Sequence, residues 1–237
     1  EVPSRKADST LTGCALVIPA MTETAAGAPV RPAEIAAYLA ARMCHDFISP
    51  ASAISSGLDL LDDPSAHDMR DEAMGLIVSS ARKLADLLSF CRVAFGASAS
   101  AETFDVRDLE KLASGVFEHM RANLEWAVDT PAVNKPAARA LLNLAQMAGA
   151  ALPTGGVAKV RAVQEGGSIA IAIEAAGPRA RLRPEVLAGL QGQPLGEGLH
   201  GHWVQAYYTH LFVTDAGGRV FADVQEEKVV FAATVPA

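Results

Sequence analysis

The stretch His45-Asp46-Phe47-Ile48-Ser49-Pro50 combines residue types that could do chemistry. A solvent-exposed imidazole titrates near pH 6.5, so at neutral pH most of it is neutral and offers a nucleophilic nitrogen. Attack on a phosphoryl group requires such a nitrogen. Tyr38, Arg42, His45, Ser49, Ser52 and Ser56 are spaced three and four apart, which places them on one polar face if the segment is helical. On that face Asp46 can hold one ring N–H and set which nitrogen is free, and Arg42 can offset phosphate charge. Ser49 lines the same face. Pro50 has no N–H, so the Asp46 carbonyl loses its helical partner and a bend is expected just beyond the histidine. On spacing alone, an ordinary surface histidine beside a tolerated proline is the stronger reading.

The elements that must position these residues read as two long helices. Pro32 suits a first helical turn, and Ile35, Leu39, Met43, Phe47, Ile54, Leu58 and Leu61 recur at steps of three, four or seven as far as Asp62. Leu61-Asp62-Asp63-Pro64-Ser65 is a stop and restart signal, with Asp63 or Ser65 as the cap. A second helix to about Phe95 carries Met69, Ala73, Leu76, Ile77, Leu84, Leu87, Leu88, Cys91 and Phe95 on its apolar side. A lone hairpin of this kind has little core, so pairing of two copies into a four-helix bundle is its natural completion.

Residues 1–30 have no sustained period and read as a flexible lead-in, and the small-residue run after Gly96 reads as a linker over 96–102. Met21 resembles a translational start, which would make residues 1–20 an upstream extension. From 103 to 237 the pattern becomes mixed: strands near 103–106, 124–128, 157–164, 168–175, 219–224 and 229–235, with helices near 108–120, 135–152, 184–190 and 201–215. The expected fold class is α+β, a helical hairpin followed by an α/β sandwich with helices on one face.

Composition narrows the function classes. A net charge of −7 gives no basic footprint for nucleic acid or anionic lipid. No window approaches the roughly 18–20 apolar residues of a membrane span, so no membrane partner is expected. Cys14, Cys44 and Cys91 lie far apart and read as free thiols of a reducing cytoplasm. His200-Gly-His202 lacks a nearby third ligand, so no metal is expected there. Trp126, and Trp203 with Tyr207 and Leu211, read as core; His119 and His210 have no marked local partners.

His-Asp-Phe-Ile-Ser-Pro followed by Ala-Ser-Ala-Ile resembles the H-box of histidine-kinase dimerisation domains, which implies that His45 is a phospho-acceptor. The second half is similar to the kinase ATP-binding domain, with telling departures. Asn143 matches the first N-box asparagine, but Met147 stands where the Mg²⁺-contacting one belongs, and a thioether is a poor ligand for a hard cation. Ala175 replaces the adenine-binding aspartate, Gly177 is kept, and Arg179 replaces a second glycine, where it is expected to crowd the pocket. Gly196 and Gly198 resemble the last glycine box. The chain thus resembles the dimeric histidine phosphotransferases of the ChpT type.

That resemblance implies a homodimeric, cytoplasmic phosphorelay protein with catalytic residues His45, Asp46, Ser49 and Arg42 and no cofactor of its own. It also implies an upstream hybrid kinase receiver of the CckA type and downstream response regulators of the CtrA and CpdR type, with Mg²⁺ supplied by the receiver. Ser49, four residues after His45, is a weak form of a phosphatase signal. Two other readings remain: an adaptor that docks receivers without chemistry, and an active kinase, which would need an asparagine at position 147 and an aspartate at 175.

Overall fold

A computed structural model describes residues 30–96, 101–195 and 200–237. The lead-in, most of the expected linker, and Gly196 and Gly198 lie outside the described residues. Helix α1 (Pro32–Asp62) starts with proline in its first turn and runs without interruption through Pro50, which is buried. At its end the Asp63 carboxylate accepts from the Ser65 N–H, capping a short 3-10 turn (Pro64–Met69) that leads into α2 (Arg70–Ala94). The two helices pack antiparallel. At Gly57 a Cβ would stand 2.6 Å from Ile77 Cγ1 and 3.1 Å from the Ala73 carbonyl, so the close approach depends on glycine there.

The packing of this hairpin corrects the expected stripes. Ala73, Leu87, Phe90, Val93 and Ala94 are buried, whereas Leu58, Met69, Leu76 and Leu88 are exposed. Periodicity marks apolar positions without saying which of two neighbouring stripes the partner helix covers. In α2 the lower part of the buried stripe, from Leu87 to Ala94, packs on the second domain.

That domain contains β1 (Thr103–Asp105), α3 (Val106–Phe117), β2 (Ala122–Val128), β3 (Ala132–Asn134), α4 (Lys135–Ala150), β4 (Gly156–Glu165), β5 (Ser168–Ala176), α5 (Pro184–Leu190), α6 (His200–Asp215), β6 (Arg219–Gln225) and β7 (Lys228–Pro236). Five strands form a mixed sheet in the order β2-β4-β5-β7-β6, with only β2 and β4 parallel. β4 and β5 are joined across Gly166-Gly167, both at positive φ, as that tight hairpin requires. Ile169, Ile171, Ile173 and Ala175 of β5 are buried while their neighbours are less so, the period-2 signature of a sheet covered on one face. The covering helix α4 is buried along almost its whole length. The short β3, which pairs with β1, was not expected: three residues carry too little pattern to register.

A smaller core joins the start of α1 to α6. Ile35, Trp203, Val204 and Tyr207 are buried together, with Tyr38 and Leu39 packed against them. The second domain therefore grips the hairpin about two to three turns before His45.

Candidate functional site

His45 lies midway along α1 with its side chain 87% exposed. Its Nδ1 is 3.2 Å from Asp46 Oδ1. A carboxylate oxygen accepts, so this contact places the ring proton on Nδ1 and leaves the Nε2 lone pair free. Ser49, Ser52 and Ser56 are exposed along the same helix, as the spacing predicted.

The polar face is not uniformly open, however. Tyr38 and Arg42 are partly covered by the start of α6. The Tyr38 ring lies 4.5 Å from that of His200 and meets Trp203 edge-on at 6.2 Å. Arg42, 14% exposed, donates from Nη1 to the Gly201 carbonyl at 2.6 Å and faces Asp46 at 3.7 Å through Nε. Burial pulls the Arg42 guanidinium below its ordinary value, against the opposing pull of Asp46. Arg42 is thus already held by two partners, one of them on α6. Tyr38, Arg42, His45, Asp46, His200 and His202 line a cleft of about 280 Å³. His200 and His202 were weighed only as metal ligands; their place beside His45 depends on a contact 159 residues apart in sequence, which local spacing cannot reveal.

Cys91 of α2 lies close to the same charges. Burial first, then Asp46, pushes its thiol up to about 11, with Arg42 acting in the opposite direction. Cys44, next to His45, is exposed.

The residues matched to the kinase ATP site have a different character. Asn143 is fully buried. Its amide donates to the carbonyls of Ala94 and Arg139, each at 3.0 Å, and its oxygen accepts from Gln205 Nε2 at 3.1 Å. Gln205 also donates to Gln146 Oε1 at 2.6 Å. Met147 is 5% exposed and Ala175 is buried in β5. A Cβ on Gly177 would come within 2.6 Å of the Gly155 carbonyl, so this glycine serves close backbone packing. Arg179 does not crowd a pocket as expected: it is exposed, at φ 61°, a left-handed conformation that suits glycine. Crowding comes instead from Arg181, Leu182 and Arg183, which with Met147, Gln146 and His202 line a residual cavity of about 70 Å³. Small-molecule sites run to roughly 300–1,000 Å³.

Two further histidines have distant partners. His119 Nε2 meets Asp86 of α2 at 3.0 Å, and His210 Nδ1 meets the Leu190 carbonyl at 3.0 Å. Among the described residues, no group of three or more His, Cys, Asp or Glu side chains could hold a metal ion. No described helix is long and apolar enough to cross a membrane.

Residues 106–228 match the family described as the histidine phosphotransferase C-terminal domain. The chain is also 34% identical over 201 residues to the protein phosphotransferase ChpT of Brucella abortus (strain 2308), covering 84% of this chain and 95% of that protein. The chain belongs to the histidine phosphotransferase family. A solved bacterial phosphotransferase superposes on this phosphotransferase with a TM-score of 0.78 at 31% identity, over 88% of this chain and 100% of that one. The α+β architecture and the phosphotransferase class expected from the sequence therefore stand.

Proposed function

We propose that this phosphotransferase carries a phosphoryl group on His45, from the receiver aspartate of an upstream hybrid kinase to receiver aspartates of downstream response regulators. The observation that supports this most directly is the exposed His45 ring, held at Nδ1 by Asp46 with Nε2 toward solvent. In the first step the Nε2 lone pair forms the N–P bond while the P–O bond to the upstream receiver aspartate breaks, and that carboxylate leaves with the electron pair. Nδ1 keeps its proton, so the phosphorylated ring is cationic and Asp46 offsets its charge. The next receiver reverses the step. A Mg²⁺ ion held by the receiver would neutralise the transferring group. Partners of the CckA, CtrA and CpdR type are part of the same proposal.

The same proposal includes a homodimer and no nucleotide. Leu58 is 50% exposed, and Met74, Val78 and Leu88, at 47%, 40% and 49%, fall on one stripe of α2. A second hairpin covering them would complete a four-helix bundle. As for ATP, Asn143 is fully buried with both amide hydrogens and its oxygen engaged inside the protein, and Met147 and Ala175 offer neither a hard ligand nor an adenine acceptor.

The test is label transfer. The protein and a His45→Ala variant are mixed with radiolabelled ATP, or with a labelled phospho-receiver. Acid-labile label from the receiver alone, absent in the variant, is expected. Label taken from ATP would make the protein a kinase, and transfer that survives in the variant would remove His45 from the reaction.

A further inference from the structure

We propose that the second domain sets the orientation of the His45 ring, acting through the Gly201 carbonyl, Arg42 and Asp46. This deepens the relay reading above and rests on it. Neighbouring residues on a helix point about 100° apart and do not ordinarily face each other. Asp46 nonetheless reaches the His45 ring, and the cation that faces its other oxygen is Arg42. Arg42 is itself nearly buried, and a buried guanidinium keeps its place only where its partners hold it. One of those partners, the Gly201 carbonyl, belongs to α6. The series Gly201 carbonyl, Arg42, Asp46, His45 Nδ1 is therefore continuous from the second domain to the reacting ring.

What fixes Gly201 is the grip of that domain at two points. Near His45, Tyr38 is wedged against His200 and the buried Trp203. At the same open end of the hairpin, one turn beyond Cys91, Asn143 donates to the carbonyl of Ala94, the last residue of α2. Asn143 is thus an interdomain clamp, and Arg42 a positioning residue whose planar fork bridges Gly201 and Asp46. A lysine at 42 would keep the charge but present one point where two partners need a fork.

The experiment measures the His45 tautomer ratio in the unphosphorylated, ¹⁵N-histidine-labelled full chain, and the rate of transfer from a phosphorylated receiver at increasing receiver concentration. In Arg42→Gln the Nδ1–H preference is expected to be lost and the maximal rate to fall about tenfold, with half-saturation unchanged. Arg42→Lys should restore little. Asn143→Ala leaves the three side chains of the series intact and should shift the tautomer ratio in the same direction, by less. Full rescue by lysine, a wild-type tautomer ratio in Arg42→Gln, or one in folded Asn143→Ala would each overturn the proposal. If Asn143→Ala fails to fold, the two Arg42 variants decide. The tautomer reading needs no phosphate, so it separates failure of this proposal from failure of His45 as the acceptor.

Discussion

His45 and Asn143 are both polar side chains on helices of one chain, and they use their hydrogen-bonding capacity in opposite ways. His45 is 87% exposed, has one nitrogen engaged by Asp46 and leaves the other to solvent. Asn143 is fully buried, with both amide hydrogens and its oxygen engaged inside the protein. A group buried and engaged at every polar atom serves stability, whereas one held on one side and open on the other is free to react. Under the proposed relay, the contrast gives chemistry to the hairpin and mechanical support to the second domain.

Exchanging the two roles gives the largest expected effects. His45→Gln should lower transfer at least about a thousandfold, as expected when a covalent nucleophile is removed. It should leave urea denaturation within about 0.5 kcal/mol of wild type, because exposed side chains contribute little. Asn143→Ala should do the reverse. It strands the Ala94 carbonyl and Gln205, and should cost about 1–3 kcal/mol in the same denaturation, with transfer retained though slower. A destabilised His45→Gln, or an Asn143→Ala as stable as wild type, would break the division of labour.

Rebuilding the kinase site tests the comparison from the other direction. Met147→Asn supplies the missing N-box asparagine, yet Asn143 would still be engaged and Ala175 still buried in β5. The variant should remain unlabelled by ATP in a filter assay. It should also lose about 1–3 kcal/mol of stability for a buried amide without partners. ATP labelling in this single variant would show that the site is one residue from activity, not structurally converted.

Much of this contrast was legible in the sequence, for reasons particular residues illustrate. The bounds Pro32 and Asp62 of α1 match the expected helix because proline and Asp63-Pro64 are strong local signals. The exposed His45 followed from its place on a polar face. What sequence could not give was anything decided by a contact across domains. Arg42 lies on the same face as His45, yet it is held by Gly201, and nothing within four residues predicts that. Leu58 and Leu88 carry the apolar pattern of a core and are exposed, since periodicity marks apolar positions without saying whether anything covers them. Arg179 was expected inside a pocket because a glycine stood there in the resembling motif, but a positive φ can turn a long side chain out to solvent.

His202 offers the finest measure of the same comparison, since it stands between the two regions, lining both the cleft beside His45 and the residual cavity beside Met147. Burial above all, then the charges of Arg183 and Arg42, hold its imidazole below the ordinary 6.5, while Glu185 and Asp46 pull weakly the other way. A histidine whose folded value is depressed binds fewer protons when folded than when unfolded in the window just below 6.5. Stability therefore rises with pH through that window, and is lost as pH falls from 6.5 toward the folded value. His202→Gln removes this titration. On moving from about pH 7.5 to about pH 5.5, wild type should lose more of its melting temperature than the variant does. Equal losses would mean that the imidazole is hydrated and free of its cationic neighbours, and that the wall between the two regions is looser than the Arg42–Gly201 contact implies.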